Sequence, residues 1–160
     1  MTMTTLLEGL ARASWIEASL GCFGLTVVSA IVPWVNAEII VLSFVALAHS
    51  PAQLALVVVV ATAGQMVGKS AVFWAGRRGE RWRGHKGELS LRWQQRLTAK
   101  PWRAAALVLL SSIVGVPPFF LVTLAAGAAG VNFRSFLVAG TVGRLVRFGA
   151  IAFLPYAMSR

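Results

Sequence analysis

Residues 52–76 read AQLALVVVVATAGQMVGKSAVFWAG, and two opposed folds are compatible with them at first sight. Taken as strand, loop and helix start, LALVVVVAT followed by AGQMVGKS (63–70) approximates the Gly-Lys-Ser phosphate loop of a nucleotide-binding α/β domain. Taken as one helix, the same 25 residues span a bilayer with some tilt and carry Lys69 as their only charge. The helix prevails. Ala63 stands where the phosphate loop wants its first glycine, and the chain contains no Asp to complete a Mg²⁺ site. Gly64 and Gly68 lie four residues apart on one face, the small-xxx-small spacing that lets helices approach closely in lipid.

Composition agrees with a membrane span. Of 160 residues, 58% are hydrophobic and 12% charged, too few polar groups to wet the surface of a soluble domain. The mean hydropathy is +0.75. Fifteen Lys and Arg stand against five acids, a balance that in a soluble chain would suggest nucleic acid. Nine of the fifteen, however, fall between Arg77 and Arg103, between apolar blocks. That is the pattern of a short cytoplasmic loop, so nucleic acid is not an expected partner. Cys22 is alone, and His49 and His85 are isolated, so neither a disulfide framework nor a metal site is expected. No basic segment precedes the first apolar run, so a cleaved signal peptide is not expected.

Residues 136–155, FLVAGTVGRLVRFGAIAFLP, form a second span, with Gly140 and Gly143 available for close packing. The other two apolar blocks are broken. Leu20–Val32 and Ile39–Ala48 flank PWVNAE (33–38), and Ala104–Val116 and Phe119–Val131 flank Pro117-Pro118. Each half is too short to cross the core of a bilayer alone. Proline removes a backbone donor and disfavours helix in the residue before it, so each block is either a re-entrant hairpin or a kinked helix. The order of broken block, span, basic loop, broken block, span predicts an all-α integral membrane protein. It would be built of two inverted repeats, residues 20–76 and 104–155, around the cytoplasmic loop 77–103. Residues 1–19 read as an amphipathic surface segment. Leu89, Trp93 and Leu97 recur every four residues and read as an interfacial helix or a solvated loop.

Four ionisable groups fall inside the apolar blocks. An ion at mid-bilayer costs about 2.5–3.5 kcal/mol, so each needs a partner or water. Glu38 follows the first break, with Asn36 two residues before it; Lys69, Arg144 and Arg147 sit in the spans. Three cations against one carboxylate leave +2, and Arg does not give up its proton. A phosphate held by Arg144, Arg147, Lys69 and Asn36 would balance the site, with Glu38 gating or coupling protons or ions.

GQMVGKSAVFWAGRRG (64–79) resembles the G-x-x-x-G-…-aromatic-x-x-G-R-x-x-G segment of the DedA family, also called the VTT-domain or SNARE-associated Golgi protein family. VPWVNAEIIV (32–41) is similar to that family's first hairpin. GVPPFFLVTLAAGAAGVNFRSFLVAGTVGRLVRF (115–148) is similar to its second hairpin and the helix after it. The short chain and its GR-x-x-RF ending suggest the small YqaA-like branch. The resemblance implies two opposed re-entrant hairpins, shaped by Pro33, Pro117, Pro118 and Gly127, in a bacterial inner membrane. It also implies flipping of an anionic lipid or polyprenyl phosphate, possible proton coupling, and no catalytic residue or cofactor. One departure stands out: where the family carries a second acid, this chain has Phe119 and Phe120. The alternatives are an ion-coupled exporter of a small cation, or a non-transporting scaffold that assembles with further copies through Gly64 and Gly68.

Overall fold

Helix starts and stops are dictated locally along this chain. The structure, a computed structural model, describes residues 3–82 and 101–158, and the segment around Leu89, Trp93 and Leu97 lies outside them. Among the described residues all regular structure is helical: α1 (Met3–Ile31), α2 (Ala37–Ala46), α3 (Pro51–Trp82), α4 (Pro101–Val114), α5 (Phe119–Ala128) and α6 (Phe133–Met158). Pro51 and Pro101 open α3 and α4 at the position where a missing N–H costs nothing. Asn36 caps α2 and Asn132 caps α6. Asn36 Oδ1 accepts from the Glu38 N–H at 2.8 Å, and Asn132 Oδ1 from the Arg134 N–H at 2.9 Å. His49 lies in the turn before α3, its N–H donating to Gln53 Oε1 at 2.7 Å.

Residues 63–70 are helical throughout, in the middle of a 32-residue helix, so no phosphate loop exists. By length and composition three helices can cross a membrane, over Ser14–Ile31, Pro51–Gly79 and Phe133–Pro155. The first of these corrects the expectation that each half-block is too short. Helix α1 continues upstream of Leu20 without a break, and residues 14–19 bring its apolar window to 18 residues in spite of Glu17. The shorter apolar helices α2 and α5 have 10 residues each, and α4 has 14.

Helix α3 is the axis of the bundle, lying against α1 on one side and against α5 and α6 on the other. Small residues set these approaches. A Cβ on Gly68 would lie 2.5 Å from Ala30 Cβ and 2.6 Å from the Val27 oxygen, and one on Gly64 would overlap the Thr26 hydroxyl. The Gly64/Gly68 face is thus filled by α1 of the same chain. Gly76 and Gly127 do the same between α3 and α5: each would drive a Cβ into the other helix's backbone, at Leu124 and Phe73 respectively. Gly127 therefore sits inside α5 at a helix crossing, and the turns are made by two glycines with left-handed backbone, Gly115 (φ 83) and Gly130 (φ 73).

Two apolar cores result. Cys22, Val41, Val57, Ala61 and Phe148 join α1, α2, α3 and α6. Phe73, Phe119, Phe136, Val108 and Ala126 join α3, α4, α5 and α6. Their aromatic centre is the stack of Phe73 on Phe136, with ring centroids 4.8 Å apart. Gln65 and Lys69 fall between Ala61 of the first core and Phe73 of the second, and this is where the polar groups gather.

Candidate functional site

The turn after α1, the start of α5 and the middles of α3 and α6 line an open cavity of about 420 Å³ with polar as well as apolar walls. Ser29, Asn36, Glu38, Gln65, Lys69 and Arg144 all line it. Arg147 stands beside it on α6, one turn beyond Arg144. The fold thus brings Asn36, Glu38, Lys69, Arg144 and Arg147 into one neighbourhood, although 109 positions separate Glu38 from Arg147.

Glu38 is the second residue of α2, held there by the Asn36 cap. Its carboxylate takes two bonds from Arg147, from Nε at 2.9 Å and from Nη2. The third Arg147 nitrogen, Nη1, donates to the carbonyl of Ile113 in the last turn of α4. One guanidinium therefore ties the helix after the first break to the helix before the second. Gly115 makes room for it: a Cβ there would lie 3.0 Å from Arg147 Nη1. Pro117 is fixed in the second break by its carbonyl, which accepts from Ser111 Oγ at 2.7 Å. Pro118 caps α5 without a side-chain bond, and Pro33 lies in the turn between α1 and α2.

Lys69 and Arg144 are more deeply placed, at 4% and 9% exposure. Lys69 does not reach for the membrane surface. Its Nζ donates to the Ala30 carbonyl at 2.7 Å and lies over the rings of Phe119 (5.7 Å) and Phe120 (5.1 Å). The Arg144 guanidinium lies over Phe119 at 4.8 Å and Phe148 at 5.5 Å, and its Nε has no hydrogen-bond partner among the described residues. Phe119 thus serves two cations at once. A cation over an aromatic face gains about 0.5–2 kcal/mol, the more so where water is scarce. The positions where the family resemblance implies a second acid hold π faces, which attract the cations without neutralising them.

Gln65, Ser29 and Thr26 add a polar layer that was not singled out from the sequence. Gln65 Nε2 donates to Ser29 Oγ at 2.6 Å and to the Thr26 carbonyl at 3.3 Å. A carbonyl can only accept, so the amide orientation follows, and Gln65 Oε1 has no hydrogen-bond partner among the described residues. The signal was present: Gln65 and Lys69 are four apart in an apolar run and share a helix face. Gly140 packs against Met66 and Phe119, and Gly143 against Ser112, so both set the depth at which α6 carries Arg144. Among the described residues no group of three or more His, Cys, Asp or Glu is placed to hold a metal ion.

Three apolar helices long enough to cross a membrane, with shorter apolar helices between them and a charged cavity at their junction, define a helical membrane protein. The VTT-domain family model matches residues 32–157, most of the chain, and the protein belongs to that family. No curated protein and no solved structure matches it.

Proposed function

We propose that this VTT-domain protein moves a phosphate-headed lipid between the leaflets of a bacterial inner membrane. Lys69 and Arg144 receive the headgroup, and Glu38 with Arg147 forms the gate beside it. The carrying observation is the charge distribution of the cavity. Arg147 is engaged by Glu38, so two buried cations share a cavity with no carboxylate left for them among the described residues. A phosphate offers an acceptor to the Arg144 Nε, which has none among the described residues, and a counter-charge to Lys69, whose bond to the Ala30 carbonyl supplies none; Arg binds phosphate in bidentate fashion. In this reading α1–α3 and α4–α6 are inverted repeats whose broken helices meet at the midplane, with the segment between α3 and α4 on the cytoplasmic side. A lipid-passing role needs no chemistry on the substrate and no cofactor. The scaffold alternative is disfavoured because its proposed assembly face, Gly64/Gly68, is covered by α1. The cation-exporter alternative is disfavoured by the excess positive charge.

The test is native mass spectrometry of the detergent-purified protein, wild type against Arg144→Gln. An anionic phospholipid or polyprenyl phosphate held by the wild type and lost from the variant is the expected result. The same lipids in equal amount on both proteins would overturn the headgroup site.

A further inference from the structure

A lipid whose phosphate enters the cavity must leave its hydrocarbon chain somewhere, and α5 leads directly to a place for it. Pro118, Phe119 and Phe120 line the polar cavity; the next two residues, Leu121 and Val122, line an apolar groove between α4 and α5 of about 350 Å³. Its floor is built from small or buried side chains, Ala104, Val108, Val122 and Ala126, and its walls from the exposed Leu107 and Leu121. At roughly 30 Å³ per water-sized group, it has room for about a dozen such groups. The groove begins at Ala104, beside Trp102 and Arg103, whose guanidinium lies over the Trp102 ring at 5.6 Å. It thus runs from a cation–aromatic pair suited to headgroup depth to the mouth of the charged cavity.

We propose that this α4–α5 groove is the hydrocarbon-chain subsite for the same lipid whose phosphate is held by Arg144 and Lys69. The inference rests on the proposed headgroup site. It has a specific physical consequence. Inside a bilayer an apolar groove gains nothing from the hydrophobic effect, because lipid tails are as apolar as Leu. A chain stays in the groove only when its headgroup is tethered nearby, which raises its effective concentration there. Occupancy of the groove therefore depends on Arg144. A second apolar groove, between α1 and α3 and lined by Leu20, Phe23, Leu56 and Val60, supplies the internal control. It ends about a turn and a half short of Ser29 and Gln65, so chains there are held by nothing but the surrounding bilayer.

The experiment uses the full chain in vesicles containing a phosphatidic acid with a photoreactive diazirine in its acyl chain. Labelled sites are mapped by peptide mass spectrometry, and bound lipid is counted in parallel by native mass spectrometry. In the wild type, labelling at Leu107, Leu121 and Ala125 is expected to exceed that at Leu20 and Leu56 about tenfold. In Arg144→Gln the excess is expected to vanish while the α1–α3 labelling is unchanged. Ala125→Phe, at an exposed wall position, is expected to remove the α4–α5 labelling without disturbing the fold, and covers the case in which Arg144→Gln folds poorly. If Arg144→Gln sheds bound lipid but groove labelling persists, or if Ala125→Phe leaves it intact, the chain subsite is wrong and the headgroup site stands. If neither bound lipid nor labelling depends on Arg144, both fall together.

Discussion

Gly127→Ala is the substitution whose effect the structure determines most directly, because a matched control lies in the same protein. The Cβ added at Gly127 would overlap the Phe73 carbonyl oxygen and lie 2.9 Å from its carbon and 3.2 Å from the Arg77 nitrogen. All three contacts are backbone, so no side chain can swing away, and α3 and α5 must separate. Separation also loosens the reciprocal approach of Gly76 to Leu124. Overpacking of this kind costs about 1–3 kcal/mol, against about 0.5–1 kcal/mol gained from replacing a helical Gly by Ala. The net expectation is a loss of about 1 kcal/mol. Gly149→Ala, in the interior of α6, meets nothing within 4 Å and should gain about 0.5–1 kcal/mol. The assay is equilibrium unfolding of both variants in mixed micelles, followed by helical circular dichroism. Opposite signs support the crossing; a Gly127→Ala variant as stable as Gly149→Ala would refute the close approach of α3 to α5.

Two further experiments test the strap at the cavity. In a double-mutant cycle with Glu38→Gln and Arg147→Gln, a coupling of about 1.5 kcal/mol is expected. That value lies between exposed and buried pairs, because the two side chains are 36% and 20% exposed; a coupling near zero would mean the pair does not hold the breaks together. Gly115→Ala should cost about 2 kcal/mol, of which roughly 1–2 comes from placing an L-residue at φ 83 and the rest from moving the Arg147 guanidinium. In an Arg147→Ala background only the conformational part should remain, which thermal unfolding of the four proteins measures.

Much of the helical plan could be read from the chain because its punctuation is local. Pro33 and Pro117-Pro118 mark breaks whatever surrounds them, whereas the helix starts at Pro51 and Pro101 and the Asn36 cap emerge from the structure. The extent of α1 was not legible: nothing between Met3 and Leu20 stops a helix, but its first residues are polar enough to pass for a separate segment. The cavity was legible as a set of charges and not as a set of bonds. Periodicity puts Arg144 and Arg147 on one face of α6, yet which of them meets Glu38 depends on how deeply Gly143 seats that helix against Ser112. A sum over charges gave the excess of two; only the packing shows that it belongs to Lys69 and Arg144. How Gly127 would shape its hairpin was not legible for a similar reason, since a glycine needed for close approach and one needed for φ > 0 look alike in sequence.

Phe120 separates the anion reading from its alternatives. Its ring lies 5.1 Å from Lys69 Nζ at the cavity wall, and it is half-buried, so the side chain can be changed without removing a core residue. In Phe120→Glu, the new carboxylate sits where Lys69 can reach it, and the unpaired charge of the cavity falls from two to one. A site built for phosphate should then lose it: Lys69 is withdrawn, and the added anion repels a bound phosphate at close range. About a tenfold or greater loss of bound anionic lipid is expected by native mass spectrometry, with melting temperature near that of the wild type. A cation-exporting cavity would respond the opposite way, gaining affinity for a cation as carboxylates accumulate. A scaffold would show neither change. Undiminished lipid binding in a folded Phe120→Glu protein would rule out Lys69 and Arg144 as the headgroup site, because it would show that Lys69 can be withdrawn and the unpaired charge of the cavity halved without consequence.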